Sequence, residues 1–208
     1  MASNDLHQPA AYPPSKTALL LLDYQNMLVE MMPSPGKESL IESVSALQAA
    51  ARKNNVAILH CTMDTAVPPP ATNKVAATWD AQFKPIFSAN PHLGAEFAGF
   101  SPADKSRTDR ETVFTRAPGI RSALAGEGII SHLRDTLGVN HLILGGIATS
   151  GAIMGTMSHA TDIGFVVTVV ETTCWDPNES VHRSLIDTVI PTLAFVSSVE
   201  EAVGYMTA

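Results

Sequence analysis

The stretch from Leu142 to Asp176, LILGGIATSGAIMGTMSHATDIGFVVTVVETTCWD, decides the fold class of this chain. An apolar run leads into a turn of small residues, then into a helical pattern ended by Gly164, and then into a second apolar run closed by Glu171. Parallel strands need a crossover connection, usually a helix, so this order predicts two parallel strands joined by a helix. The turn follows the first strand, where open α/β sheets bind their ligands.

The same alternation of strands and helices extends over the rest of the chain. It predicts a three-layer α/β/α, doubly wound and mainly parallel six-stranded sheet of the Rossmann-like kind. The predicted strands are Thr17–Leu22, Val56–Cys61, Thr112–Thr115, His141–Leu144, Phe165–Val170 and Ala194–Val196. The predicted helices are Lys37–Asn54, Ile129–Leu137, Ser150–Ile163, Asn178–Ile190 and Val199–Tyr205.

Two segments stand apart from this pattern. Residues 1–15 are polar and contain prolines, which predicts a flexible N-terminal arm before a single domain over residues 16–208. Residues 63–110 show little periodicity and hold six prolines and five aromatic residues. We interpret them as a partly helical lid whose aromatic side chains line a pocket, or as a satellite cluster packed under a long loop.

Composition narrows the classes of function. The formal net charge is −7, charged residues make up 16% of the chain, and Lys and Arg form no cluster. Nucleic acid and anionic membrane are therefore not expected as partners. The start of the chain has no apolar signal-peptide region, and two cysteines make no disulfide framework. We expect a cytoplasmic protein that acts on a small molecule.

Two charged residues directly follow predicted strands. Asp23 comes after four leucines, and a carboxylate at the end of a buried strand is unfavourable unless it is paired or functional. Arg116 ends another strand, where it can pair with Asp23 or hold a substrate carboxylate. The structural alternatives are a turn cap or a structural ion pair for Asp23, and a local ion pair of Arg116 with Glu111 or Asp109.

The turn GGIATSGA offers backbone N–H groups at the start of a helix. Gly151 and Ala152 supply these groups, which suit a negatively charged oxygen, and Thr149 or Ser150 is expected to cap the helix. The alternative is a turn that needs small residues only for packing. Neither the G-x-G-x-x-G fingerprint nor the G-x-S-x-G elbow is present.

Other reactive residue types give weaker signals. Cys61 and Cys174 are expected to act as small buried hydrophobic residues rather than as nucleophiles. The seven histidines show none of the pair spacings typical of metal ligands. The sequence therefore predicts no metal site and no cofactor.

Three separated motifs carry a resemblance to a known family. LLLLDYQN at residues 19–26, VFTR at 113–116, and LILGGIATSGAI at 142–153 followed by TMSHATDIGFVVTVVET at 156–172 resemble the isochorismatase-like cysteine hydrolase family. The resemblance runs from about Thr17 to Val199. It implies a doubly wound isochorismatase-like sheet and a homo-oligomer, either a dimer or a tetramer.

The resemblance also implies a catalytic set of Asp, Lys and Cys. The Asp corresponds to Asp23, with Gln25 beside it as a substrate-binding residue. Arg116 stands where the family has its Lys, and Ala152 stands where it has its nucleophilic Cys. Ala152 cannot form a thioester, and the Arg116 guanidinium does not exchange protons.

The turn that precedes Ala152 carries further implied roles. The resemblance places a cis peptide bond between Ile147 and Ala148 and assigns oxyanion-binding amides to Gly151 and Ala152. It provides no counterpart in this chain, after the second strand, for the metal-binding histidines of the nicotinamidase branch.

Three hypotheses follow. The first is an isochorismatase-type hydrolase that cleaves a vinyl ether in a small carboxylated substrate, with Asp23 as general acid/base and no covalent Cys step. The second is a catalytically silent family member that binds a ligand or partner. The third is an amide hydrolase whose Cys is replaced by Ala152.

Overall fold

The computed structural model describes residues 5–102 and 110–207, and in this part of the chain six strands form one parallel sheet. Its strand order is β3-β2-β1-β4-β5-β6. The sequence order therefore reverses between β1 and β4, which makes the gap between their carboxyl ends the topological switch point. The predicted α/β sheet is confirmed. The strands are β1 (Thr17–Leu22), β2 (Ala57–Met63), β3 (Glu111–Arg116), β4 (His141–Ile147), β5 (Val166–Trp175) and β6 (Phe195–Ser197).

Helices cover both faces of the sheet. They are α1 (Asn26–Glu30), α2 (Gly36–Lys53), α3 (Ala76–Thr78), α4 (Lys84–Ala89), α5 (Ile129–Ser131), α6 (Met154–Asp162), α7 (Glu179–Ser184) and α8 (Val199–Tyr205). Wider π-helical turns join or extend several of them, at Trp79–Phe83, His132–Thr136, Thr149–Ile153 and Leu185–Val189. Among the described residues, no helix combines the length and apolar character needed to cross a membrane.

Strand β1 shows why the strands of this sheet have continuous apolar sequences. Leu20 and Leu22 point into one hydrophobic core, while Leu19 and Leu21 point into the core on the opposite face. All four leucines are fully buried. A central parallel strand covered on both faces has no polar side, so its sequence does not alternate.

Strand β5 is longer than the sequence predicted. It continues beyond Val170 to Trp175, and its pairing with β4 shifts register between Leu144 and Gly146. The irregularity lets the polar residues after Val170 keep strand pairing, which the apolar pattern alone did not indicate.

Residues 63–110 divide between the two predicted alternatives. The helix formed by α3, a π-helical turn and α4 carries Trp79 and Phe87, which line a cavity. Phe97 and Phe100 instead pack edge-on beside Tyr24 in a hydrophobic core. Residues 103–109 of this segment lie outside the described residues.

The N-terminal arm has local structure in its described part. Short 3-10 helices span Pro9–Ala11 and Pro14–Lys16, and the Tyr12 ring lies 6.3 Å from the ring of His141. Residues 1–4 lie outside the described residues. The flexibility of the arm stays a prediction.

Candidate active site

Asp23 is held in an uncommon backbone conformation at the end of β1. Its φ is 53°, in the left-handed region that Asp tolerates better than most residues do, and its N–H donates to the Cys61 carbonyl at 2.8 Å. The residue is 4% exposed. The turn thus directs a carboxylate into the interior at the switch point of the sheet.

Arg116 binds this carboxylate with both ends of its guanidinium. The Nη1 and Nη2 atoms donate to the two Asp23 oxygens at 2.9 and 2.7 Å. Arg116 ends β3, so its long side chain reaches across β2 to the end of β1. Its Nε and Nη2 also donate to the carbonyls of Ile120 and Arg121. Four hydrogen bonds therefore fix the guanidinium.

The local pairing considered for Arg116 does not form with Glu111. Glu111 binds Arg52 at 2.7 Å and the ring of His60 at 3.3 Å instead. Asp109, the other local candidate, lies outside the described residues. Pairing with Asp23 is one of the two functional alternatives that the sequence left open.

Burial and charge act in opposite directions on the Asp23 carboxyl. Removal from water raises its pKa above the ordinary value, while the charge and hydrogen bonds of Arg116 oppose that rise. The nearby carboxylate also raises the pKa of Arg116, whose burial acts in the opposite direction. The net effect is a carboxyl group that holds a proton more readily than an exposed Asp does.

Glycines shape the approach of β4 to this centre. A Cβ added at Gly146 would lie 2.5 Å from the Leu22 Cβ, and one at Gly145 would lie 2.7 Å from the Tyr24 hydroxyl oxygen. Such distances leave no room for a side chain. The peptide bond between Ile147 and Ala148 is cis, as the resemblance implied.

The helix after this turn is capped from a distance, and the expectation that Thr149 or Ser150 caps it is wrong. Ala148 is the N-cap residue, and Asp176 accepts hydrogen bonds from the Ser150 N–H at 2.8 Å and its hydroxyl at 2.6 Å. The Thr149 hydroxyl pairs with the His182 ring at 2.8 Å. A buried carboxylate at the end of β5 is a stronger acceptor than a neutral hydroxyl.

Six of the seven residues predicted for the site line one cavity of about 180 Å³. They are Asp23, Arg116, Ile147, Ala148, Gly151 and Ala152. We call this space the Asp23 cavity. The residue at the position of the expected nucleophile is Ala152, whose side chain is only a methyl group. The Gly151 N–H donates to the Ala148 carbonyl at 3.0 Å, so that amide is engaged within the turn.

Gln25 lies beside this cavity rather than in it. Its Nε2 donates to the carbonyls of Met63 and Gly94 at 3.1 and 2.6 Å, and its Oε1 accepts from the Met63 N–H. Gln25 therefore fastens β2 and the segment after it to the start of α1. Its role toward substrate stays a prediction.

Several lining residues were not found by sequence reasoning. Leu28 and Met63 contribute apolar walls, and Gly119 and Arg121 come from the loop after β3. That loop, APGIR, follows the strand ended by Arg116, and its Pro-Gly step indicates a turn. Its position just after a strand was the available signal.

The two cysteines are buried and poorly suited to act as nucleophiles. Burial raises the pKa of Cys61 and of Cys174 to about 12. Within the described part of the chain, no three His, Cys, Asp or Glu side chains are grouped closely enough to hold a metal ion.

Solved structures with similar folds include several hydrolases of one family. An isochorismatase family protein from Burkholderia thailandensis is 18% identical, with a TM-score of 0.70 over 92% of this chain and 96% of that chain. A cysteine hydrolase from Pseudomonas syringae pv. phaseolicola 1448A is 14% identical, with a TM-score of 0.76 over 93% of both chains. N-carbamoylsarcosine amidase from Thermoplasma acidophilum is 13% identical, with a TM-score of 0.68 over 89% of this chain and 97% of that chain.

At these identities the structural similarity shows the fold alone. No curated protein matches the sequence. Residues 17–201 match the family described as the Isochorismatase domain, and this range includes every strand and the whole Asp23 cavity. The chain therefore belongs to the isochorismatase family.

Proposed function

We propose that this protein hydrolyses a vinyl ether in a small carboxylated substrate, with Asp23 as the group that transfers protons. The observation that carries the proposal is the composition of the Asp23 cavity. A buried carboxyl group faces the same space as Ala152, whose methyl group cannot attack a carbonyl. Proton transfer requires the Asp23 carboxyl group, whereas only covalent catalysis requires the nucleophile that Ala152 lacks.

The steps balance without a covalent intermediate. The Asp23 carboxylate, paired with Arg116 in the free protein, first takes up a proton from solvent, which the raised pKa of this carboxyl group favours. Asp23 then gives that proton to the terminal carbon of the vinyl ether, and water adds to the resulting oxocarbenium carbon. The Asp23 carboxylate takes a proton from that water, and the hemiketal separates into a carbonyl compound and an alcohol. The sum is the addition of one water molecule across the cleaved ether.

Arg116 has a positioning role in this scheme. Its two-point contact with Asp23 sets the direction of the carboxyl group, and its charge stabilises the carboxylate left after proton donation. The hydrogen bonds of Arg116 to backbone carbonyls hold it in place. Each Asp23 oxygen retains a further lone pair that can receive a proton.

A catalytically silent protein is the second candidate, and one observation favours it. The same two-point contact that orients Asp23 also occupies both carboxylate oxygens, as in a structural ion pair. Such a protein would bind ligands in the Asp23 cavity without converting them. Turnover separates the two candidates.

The test measures pyruvate released from 2-methoxyacrylate, a small carboxylated vinyl ether. We expect release by the wild-type protein and a loss of about 10²- to 10⁴-fold in kcat in Asp23→Asn, the range typical of a general acid. Asp162→Asn, at an exposed carboxyl that ends α6, is the matched control and retains the wild-type rate. Equal rates in the wild type and Asp23→Asn would contradict the proposal.

A further inference from the structure

A second cavity adjoins the Asp23 cavity and is almost entirely apolar. We call it the apolar chamber; its volume is about 200 Å³, and its principal walls are Leu28, Met63, Val75, Trp79, Phe83 and Phe87. Trp79 and Phe87 are 4% and 7% exposed. Gln25 also reaches the wall, but its amide is hydrogen bonded to the backbone. The chamber therefore offers hydrocarbon surface and few polar partners.

The size of the chamber limits what it can hold. A dry apolar cavity of about 150 Å³ binds benzene, so this chamber has room for a phenyl ring or a branched alkyl group of similar size. A carboxylate or hydroxyl group placed there would lose its hydration without replacement hydrogen bonds, which is strongly unfavourable. The chamber thus selects for an apolar group.

The chamber and the Asp23 cavity share walls. Leu28, Met63 and Gly119 line both spaces. One substrate molecule can therefore place an apolar group in the chamber and a reactive bond beside Asp23. The two cavities together describe a substrate with an apolar end and a reactive end.

The exposed positive charges near this junction are carried by Arg121 and Lys74 at an outer cleft, and not by the buried Arg116. Arg116 is held by Asp23 and by two carbonyls, as described above. Arg121 lines the Asp23 cavity and also an outer cleft of about 360 Å³, which Lys74 lines as well. Two exposed cations therefore flank the entrance to the reactive centre.

Gly119 lies where the three spaces meet. It lines the chamber, the Asp23 cavity and the outer cleft. Its φ is +80°, and an added Cβ would lie 2.7 Å from a Val75 methyl carbon and 2.9 Å from the Asn73 amide nitrogen. Asn73 donates to the Gly119 carbonyl at 3.0 Å, which ties the lid to the loop after β3. A glycine keeps this junction open.

From this arrangement, and resting on the proposed function, we infer the substrate class: a monocarboxylate that bears a phenyl-sized apolar group. The apolar group occupies the chamber, and the carboxylate binds Arg121 and Lys74. A compact dicarboxylate with ring hydroxyl groups fits this site poorly, because its ring would enter the chamber with polar groups attached.

Binding of unreactive probes tests the inference without turnover. The probes are 3-phenylpropanoate, its neutral analogue 3-phenylpropanamide, and the dicarboxylate isophthalate, each titrated calorimetrically into the full chain. We expect 3-phenylpropanoate to bind most tightly. Arg121→Gln should weaken its binding about tenfold and leave that of 3-phenylpropanamide unchanged, since about 1.4 kcal/mol is a reasonable value for one charged contact.

Further variants distinguish the contribution of the apolar chamber to probe binding from that of the cations at the entrance. Phe83→Ser, at a half-buried wall residue, should weaken both phenyl probes about tenfold. Lys74→Gln should weaken only the anion, whereas Lys84→Gln, an exposed lysine of the same lid, is the matched control and changes neither. Tightest binding of isophthalate, absence of binding by 3-phenylpropanoate, or insensitivity to Arg121→Gln would overturn the inference.

These outcomes are distinct from those of the turnover test. A protein that binds the probes as expected but hydrolyses no vinyl ether supports the substrate class and contradicts the proposed function. A protein that releases pyruvate from 2-methoxyacrylate but does not bind the phenyl probes supports the function and overturns the substrate class.

Discussion

Two buried polar centres lie at opposite edges of the parallel sheet, one at the carboxyl ends of its strands and one near their amino ends, and they differ in what surrounds them. At the carboxyl ends, Asp23 and Arg116 form a charged pair beside a cavity. At the amino ends, the ring of His141 bridges the hydroxyls of Thr17 and Thr168 at 3.3 and 2.9 Å. None of these three residues lines the Asp23 cavity or the apolar chamber.

This difference shows that burial of polar groups does not by itself indicate an active site. The His141 centre satisfies its hydrogen bonds among neutral partners and packs its ring near Tyr12 and Tyr205. The Asp23 centre keeps two charges out of water and opens on space for a ligand. Charge, position at the switch point and an adjoining cavity together make the second centre a candidate for chemistry.

The largest effect on stability is expected when the charged centre is broken on one side. Asp23→Asn leaves the Arg116 charge buried without its counterion, which should lower the free energy of unfolding by about 3–5 kcal/mol. Asn tolerates the left-handed φ of this position, so the backbone contributes little to the loss. Urea denaturation provides the measurement.

The double variant Asp23→Asn, Arg116→Met is the control for that loss. It removes the second charge as well and should recover most of the stability of the wild type. A change of less than about 1 kcal/mol in the single variant would show that the pair behaves like an exposed salt bridge, which contradicts its buried geometry.

The neutral centre should respond to pH instead. Burial lowers the pKa of His141 from 6.5 to about 4. Between pH 6.5 and about 4, His141 binds a proton in the unfolded chain but not in the folded chain. The stability that neutral His141 contributes above pH 6.5 is therefore lost as the pH falls toward 4. The loss is about 3 kcal/mol from this group.

Denaturation at several pH values in His141→Gln isolates that contribution. The difference in stability between the wild type and this variant should shrink as the pH falls through the window. His7→Gln, at an exposed histidine of the N-terminal arm, should leave the wild-type pH dependence intact. A constant difference between the wild type and His141→Gln would contradict the neutral assignment.

Restoring a thiol should not restore amide hydrolysis. In Ala152→Cys the new thiol would face the Asp23 cavity, but Arg116 holds Asp23 and cannot accept its proton. We expect no release of ammonia from nicotinamide above the wild-type background. Substantial release would favour the hypothesis that Ala152 replaces the nucleophile of an amide hydrolase.

The smallest expected effect concerns the two native thiols, which should not react with an alkylating reagent. Cys61 and Cys174 are buried with raised pKa values, so the folded wild type should take up no iodoacetamide at pH 8. Ala152→Cys should take up one label per chain if its thiol faces the cavity. Mass spectrometry distinguishes these results, and labelled Cys61 would show that the core opens.

Local patterns were sufficient for the main features of the fold. Buried parallel strands leave apolar runs such as residues 18–22, and Gly164 marks the end of a helix, so a mainly parallel α/β sheet could be expected from the alternation of strands and helices. The position of Asp23 after such a run indicated the candidate site, whose catalytic role stays a prediction. The continuation of β5 to Trp175 depends on pairing with a bulged neighbour, which leaves no periodic signal.

Long-range contacts account for what sequence reasoning missed. The cap on the helix after Ala148 comes from Asp176, and the apolar chamber arises where the lid helix meets the loop around Gly119. Each contact joins segments far apart in the chain, and propensity describes only neighbours. The predicted homo-oligomer, dimer or tetramer, likewise depends on contacts between chains and stays a prediction.

The central claim is that Asp23 delivers a proton to carbon, and hydrolysis of 2-phenoxyacrylate in D₂O tests it most directly. This compound combines a phenyl group, one carboxylate and a vinyl ether. The account predicts phenol and pyruvate with one deuterium in the pyruvate methyl group, at a rate that falls about 10³-fold in Asp23→Asn and is unchanged in Asp162→Asn. Product without deuterium on carbon, or an unchanged rate in Asp23→Asn, would contradict it.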